Sequence, residues 1–243
     1  MRKTNDTLYI GGRNPVREAL MAGQIEALFV KMGETDKKLN ELIREAEKRD
    51  IPVINIKEQL LFALCDNINH QGVVAQLPSY EYASLEDILD NAEPDPILVL
   101  LDGVEDVRNL GAIVRTAECA GITAVLIPKH KSAKITAAAI KTAAGAFSYF
   151  PVCQIGNIRQ TLVNLKEKGF WVVGADMDGD SIYETDLKGP LVIVMGGEGK
   201  GIKPLTKKMC DFMAAIPMKG KVSSLNVSVA AALFIYEAIR QRK

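Results

Sequence analysis

From residue 97 onward the chain runs repeatedly into short apolar stretches with no polar interruption: 97–101 (ILVLL), 124–128 (AVLIP), 170–175 (FWVVGA) and 191–195 (LVIVM). A strand with one wet face alternates apolar and polar residues. A strand covered on both faces is apolar throughout, which is the habit of parallel sheets flanked by helices. Segments with helical spacing lie between these runs, at 110–120, 135–145 and 158–168. A last long helix is expected over 224–241, with Leu225, Val229, Ala232, Leu233, Tyr236 and Ile239 on its apolar face. The alternation predicts an α/β fold with a mostly parallel sheet and helices on both sides.

Residues 1–77 form a second, smaller pattern. Strands are expected at 7–12, 27–31, 52–56 and 72–77. Helices are expected at 14–23, ended by Gly23, at 36–49 and at 57–64. Asp36 stands where an N-cap belongs, and Leu39, Leu42, Ile43 and Ala46 share one helical face. This reads as a small α/β unit. Residues 78–96 then carry three prolines and six acidic residues around one short amphipathic stretch (Leu85, Ile88, Leu89). That composition predicts a linker with a short helix, a domain boundary at 78–96, and freedom for the first unit to swing.

Composition narrows the classes of function. With 48% hydrophobic residues, the chain can bury a full core. No apolar run approaches the ~18 residues that span a bilayer, and MRKTNDTLYIGG lacks the apolar stretch of a secretory signal, so a cytoplasmic location is expected. Cys65, Cys119, Cys153 and Cys210 make no CxxC pair and are expected as reduced, buried thiols. His70 and His130 are the only histidines, and no metal site is expected. Thirty basic residues balance thirty acidic ones, so total charge says nothing about nucleic acid. Local clusters do: Lys129, His130, Lys131 and Lys134 form one, and Lys200, Lys203, Lys207 and Lys208, with Lys219 and Lys221 nearby, form another. Short charge runs also arise as ordinary solvated faces.

In open α/β sheets ligands bind beyond the C-terminal ends of the strands. Three segments stand there. In 101–121 a strand ends at Asp102, a polar loop follows, and a helix is expected to open near Asn109, with Gly111 and Arg115 further along. Asn109 suits an N-cap, and Arg115 suits either an anion or an outward ion pair. In 191–202 an apolar strand meets four glycines in six positions around Glu198 and Lys200. A P-loop needs glycine where Val194 stands, and the dinucleotide pattern needs one at Pro204 or Ile202, so nucleotide-dependent ATPases and dehydrogenases are excluded on pattern. A glycine-rich turn with one carboxylate suits a ligand packed on main chain. In 216–241 Pro217 and Gly220 follow a short strand, and Ser223, Ser224 and Asn226 open the last helix, with Ser223 or Ser224 suited to be its cap.

Taken in order, NLGAIVRTAECAG, VIVMGGEGKGI and IPMKGKVSSLNVSVAAAL resemble the three motifs of the SpoU/TrmH branch of the SPOUT RNA 2′-O-ribose methyltransferases, over 97–243. IGGRNPVREAL and NHQGVVA resemble the substrate-recruiting domain of one subgroup, which methylates a guanosine ribose in 23S rRNA. The resemblance implies a C-terminal trefoil knot, a homodimer through the catalytic domain, and S-adenosylmethionine as methyl donor with no metal. It implies that Met195, Gly196, Gly197, Gly201, Ile216, Met218 and Leu225 hold the cofactor, and that Asn109, Arg115, Glu198, Ser224 and Asn226 make the catalytic site. Arginine stays protonated below pH ~12, so Arg115 is expected to clamp a phosphate and steady the developing alkoxide, and not to act as a simple base. Arg13, Asn14, Arg17, His70 and Gln71, polar residues near strand ends, are the candidates for RNA contact in the first unit. A tRNA 2′-O-methyltransferase and a non-catalytic RNA-binding ribosome-assembly factor remain as alternatives.

Overall fold

The computed structural model describes residues 8–33, 36–65, 69–222 and 224–242. Thr7, expected in the first strand, and Ser223 lie outside them. The chain divides into two compact units, Met1–Glu81 and Tyr82–Lys243.

The first unit is a four-stranded sheet of β1 (Leu8–Gly11), β2 (Ala27–Lys31), β3 (Val53–Ile56) and β4 (Val73–Leu77), in the order β1-β4-β2-β3. β4 is antiparallel to both of its neighbours, and β2 and β3 are parallel. Helices α1 (Arg13–Met21), α2 (Lys37–Glu47) and α3 (Glu58–Leu64) connect them. Asp36 caps α2 by accepting from the Lys38 and Leu39 amides at 2.9 and 3.2 Å. Behind that cap, Leu39, Leu42 and Ala46 are buried at the expected spacing. A core of Ala27, Phe29, Leu61, Cys65 and Val74 lies under α3.

In the second unit six parallel strands run in the order β10-β8-β9-β5-β6-β7. They are β5 (Ile97–Asp102), β6 (Ala124–Pro128), β7 (Val152–Ile155), β8 (Trp171–Ser181), β9 (Leu191–Gly196) and β10 (Phe212–Ala215). All residues of β5 and β6 are buried, as expected of strands covered on both faces. The helices are α4 (Leu85–Asp90), α5 (Val107–Ala120), α6 (Ala137–Thr142), α7 (Ile158–Glu167), α8 (Pro204–Lys207) and α9 (Val227–Arg240). Part of the stretch expected as linker belongs to this unit. Ala83 bridges to Cys153, Ser84 caps α4, and Leu85, Ile88 and Leu89 pack on the core around Leu98, Leu126 and Val192. Among the described residues no helix is long and apolar enough to cross a membrane.

Several boundaries differ from expectation for local reasons. α5 opens earlier, because Asp106 accepts from the Arg108 amide at 2.7 Å and is the cap, which leaves Asn109 inside the first turn. α9 opens later, because Asn226 and not a serine accepts from the Ser228 amide at 2.9 Å. β8 continues six residues past 175 through a polar stretch. β7 carries no long apolar run and was not expected. Cys119 is exposed, unlike the buried Cys65 and Cys153.

α5 and α6 approach closely at Gly111, where an added Cβ would stand 2.5 Å from the Ala139 carbonyl oxygen and 2.9 Å from Thr142 Cβ. Alanine gains about 1 kcal/mol of helix propensity over glycine, but overpacking against fixed backbone costs about 1–3 kcal/mol. Gly111→Ala should therefore lower stability by about 1 kcal/mol in urea unfolding. An equal or higher midpoint would show that the close approach constrains nothing.

Candidate active site

The parallel register sets the site. Asp102 ends β5 level with Gly196 at the end of β9, and β8 pairs with β9 as far as Gly174 opposite Val194. The ends of β5 and β9 and the last residue of β8 paired to β9 therefore share one edge. At that edge β8 arches: its ladder with β10 jumps from Gly174 opposite Met213 to Asp180 opposite Ala214, leaving 175–179 without a strand partner. Under the arch lies a cavity of about 640 Å³, within the usual range for small-molecule sites.

Its walls come from four segments. The arch gives Ala175, Asp176, Met177 and Asp178. The glycine turn gives Met195, Gly196, Gly197, Glu198, Lys200 and Gly201. The crossing after β10 gives Ile216, Met218, Ser224, Leu225 and Asn226. The start of α9 gives Val227, Ala230 and Phe234. Every residue expected to hold the cofactor thus lines one cavity, together with Glu198, Ser224 and Asn226.

Two glycines are required by space. A Cβ on Gly197 would stand 2.1 Å from the Gly103 carbonyl oxygen, and one on Gly196 would stand 2.1 Å from the Gly201 carbonyl carbon. Main chain thus packs on main chain, and the turn closes with the Gly201 amide donating to the Gly197 carbonyl at 2.9 Å. Asp102 grips the turn from below. Its carbonyl accepts from the Gly197 amide at 3.0 Å, and its fully buried carboxylate accepts from the Lys203 amide at 3.0 Å and from Lys203 Nζ at 2.5 Å.

Asn109, 8% exposed, stands behind the cavity and joins the three motif segments. Its Nδ2 donates to Glu198 Oε1, and its Oδ1 accepts from Asn226 Nδ2 at 3.0 Å. Asn226 in turn accepts from the Ser228 amide and, at 2.5 Å, from Ser228 Oγ. A carboxamide with both ends engaged has one orientation, so this relay fixes where Glu198 points. Arg115 is exposed on α5 and does not line the cavity. Six residues past Asn109 place it about 120° around the helix and about 9 Å along it.

The pair of Asp176 with Lys207 escaped sequence reasoning, because the partners lie on different elements and β8 was expected to end at 175. Burial works to raise the Asp176 carboxyl, but the hydrogen bond and charge of Lys207 and the Asp178 amide outweigh it, and the net shift is downward. A depressed carboxyl contributes stability above its unfolded value and loses it only as pH falls through the folded one, so this pair stays intact above about pH 4.

In the first unit, Arg13 is anchored. Its Nη1 donates to Asp36 Oδ1 at 2.8 Å, its Nε donates to the Gln71 carbonyl at 3.1 Å, and its amide donates to Gln71 Oε1 at 3.2 Å. The Leu39 amide, together with Arg13, holds the Asp36 carboxyl below its usual value. Asn14 and Arg17 are exposed on α1 and share with Arg13 and Lys38 a small cavity of about 270 Å³. His70 departs from expectation. It is 3% exposed, its Nδ1 accepts from the Gly72 amide at 3.0 Å, and its ring meets Phe62 edge-on at 4.3 Å. It is a packed ring and not a surface contact.

The sequence profile of the SpoU rRNA Methylase family matches residues 96–236, and that of the RNA 2′-O ribose methyltransferase substrate-binding family matches residues 9–83. The 23S rRNA (guanosine-2′-O-)-methyltransferase RlmB of Pseudomonas putida is 42% identical over 224 residues, 90% of each chain. The SpoU methyltransferase AviRb of Streptomyces viridochromogenes, solved with AdoMet, superposes with a TM-score of 0.71 at 24% identity, covering 99% of this chain and 92% of that one, a likeness of fold. The TrmH/SpoU tRNA modifying enzyme of A. aeolicus is 32% identical with a TM-score of 0.56, covering 65% of this chain and 80% of that one.

Lys203 is half exposed while Asp102 is fully buried, so removing the lysine strands the carboxylate. Lys203→Met should cost about 2 kcal/mol in urea unfolding, since a buried charge keeps only its backbone partner. Stability equal to the unaltered protein would show that the pair grips nothing.

Proposed function

The chain belongs to the SpoU rRNA methylase family, and from that premise we propose that it transfers the methyl group of S-adenosylmethionine to a ribose 2′-hydroxyl of RNA, on a guanosine of 23S rRNA. One observation carries this reading: the second and third motif segments, far apart in sequence, line a single cavity, and Asn109 of the first segment joins them through Glu198 and Asn226.

The cavity suits the donor. S-adenosylmethionine carries a sulfonium, an ammonium and one carboxylate. The walls offer the carboxylates of Asp176, Asp178 and Glu198, the ammonium groups of Lys200 and Lys207, and bare main chain at Gly196 and Gly197. Met195, Gly196, Gly197, Gly201, Ile216, Met218 and Leu225 would hold it. When bound it supplies an electrophilic methyl group. The protein's own task is alignment, which is worth several kcal/mol. The Asn226–Asn109–Glu198 relay sets the polar wall against which the ribose lies. Arg115, outside the rim, clamps a phosphate of RNA crossing it and steadies the alkoxide as the hydroxyl proton leaves to water. An arginine suits this clamp because its planar fork binds phosphate with two parallel hydrogen bonds.

The segment that follows β10, past the cavity and on to α9, is threaded as a trefoil knot in this reading, which membership of the family supports. Residues 9–83 recruit the RNA, with Arg17, Asn14 and Gln71 as the exposed candidates and Arg13 as their anchor. The active form is a homodimer. Val229, Leu233 and Tyr236 make a half-exposed apolar stripe on α9 that a second copy would cover. The site of action is the cytoplasm, in keeping with relatives that act on bacterial ribosomal RNA.

Purified protein should move labelled methyl from S-adenosylmethionine to 23S rRNA lacking the modification, and mapping should place it on a guanosine ribose. Transfer to tRNA alone would overturn the substrate, and no transfer to any ribosomal or transfer RNA would overturn the reading. Arg115→Lys keeps the charge but loses the fork, and kcat/KM should fall at least about tenfold. Near-full turnover would remove the clamp.

A further inference from the structure

Charge in this neutral chain is segregated. Residues 119–166 contain no aspartate or glutamate and six lysines and arginines. The chain's average of about one acid in eight residues would put six acids there. In the fold the densest part of this stretch, Lys129, His130, Lys131 and Lys134, lies in the loop between β6 and α6. β6 is the parallel neighbour of β5, with Leu126 opposite Leu100, so this loop leaves the sheet at the edge where Asp102 and Gly196 end. Strands lie about 4.8 Å apart, which puts the loop about 10 Å from Gly196.

The loop is built to present these side chains. Ala133 and Ile135 are buried as anchors, the Ala133 amide donates to the Val104 carbonyl at 2.7 Å, and Ser132 Oγ bonds back to the Pro128 carbonyl. Between these anchors Lys129, His130, Lys131 and Lys134 are exposed, and none makes an ion pair or side-chain hydrogen bond with a described residue. Lys131 adopts φ +54°, a left-handed conformation that is unfavourable for a side-chain-bearing residue and that gathers at functional sites. The facing loop before α5 holds Glu105 and Asp106, and Asp106 is engaged in capping α5.

We propose that the loop between β6 and α6 is a docking ridge for the phosphodiester backbone of the substrate RNA, holding the strand beside the cavity while the first unit recruits the folded RNA. The proposal rests on the cavity being the site of methyl transfer. Rigid, unpaired, single-sign charge suits phosphate, since neutralising phosphates releases counterions and makes affinity fall with salt.

The test is Lys129→Glu/Lys131→Glu/Lys134→Glu in the full chain, read first by filter binding to a 23S rRNA transcript and then by methyl transfer. RNA affinity should fall at least tenfold. The slope of log affinity against log salt should shrink by about 2, for three phosphate contacts at about 0.7 each. Affinity for S-adenosylmethionine by calorimetry should stay within twofold, and the matching triple arginine variant should bind RNA like the unaltered protein. Unchanged RNA affinity and salt slope would overturn the ridge, as would parallel loss of S-adenosylmethionine binding or failure of the arginine variant, which mark a structural role. Because binding is measured directly, an unaltered protein that binds RNA but transfers no methyl overturns the function proposed above and not the ridge.

Discussion

The buried carboxylate of Asp102 is the contact on which the rest of the second unit depends. It sits at the end of a central strand, fully out of water, and meets that cost with a backbone amide and the Lys203 ammonium. A buried charge tolerates little displacement once its partners are fixed, because moving it leaves it unpaired in a medium of low dielectric. The glycine turn of 196–201 is therefore held against β5 with its main chain touching that of Gly103. The crossing segment and the first turn of α9 can then close over it and complete the cavity.

The cavity combines two kinds of wall. One side is bare backbone, shaped by glycines that admit no side chain, and it fixes shape. The other is the arch of β8, which carries Asp176 and Asp178 and is tied by Asp176 to Lys207 after the glycine turn. The polar relay from Ser228 through Asn226 and Asn109 to Glu198 ties the start of α9 to the glycine turn. Shape thus comes from close approach and polarity from a network whose members are each engaged.

The sheet was legible because strands buried on both faces leave unbroken apolar runs, and four of its six strands did so. β7 and the outer half of β8 were not, because an edge strand and an arch need no such run. Near caps, the nearest polar residue misled. Asp106 and Asn226, not Asn109 and a serine, reach the free amides, and a few degrees of backbone decide between them. The three motifs converged as their order implied. What sequence could not give was direction and pairing: His70 turned inward, and Asp176 joined to a lysine 31 positions away. Each depends on rotation about an element or on partners brought together by packing.

The arch of β8 has a consequence for motion. Residues 175–179 have no strand partner on either side, while the segments before and after them are held in ladders. Amide hydrogens in the arch should exchange with solvent through small local openings, ahead of those at Val172 and Val173, which open only with the sheet. A ligand filling the cavity would have to quiet this segment, so part of its intrinsic affinity would go to ordering the wall that receives it. The edge of the sheet that makes room for the ligand is thereby also the part of the fold whose fluctuations the ligand would govern.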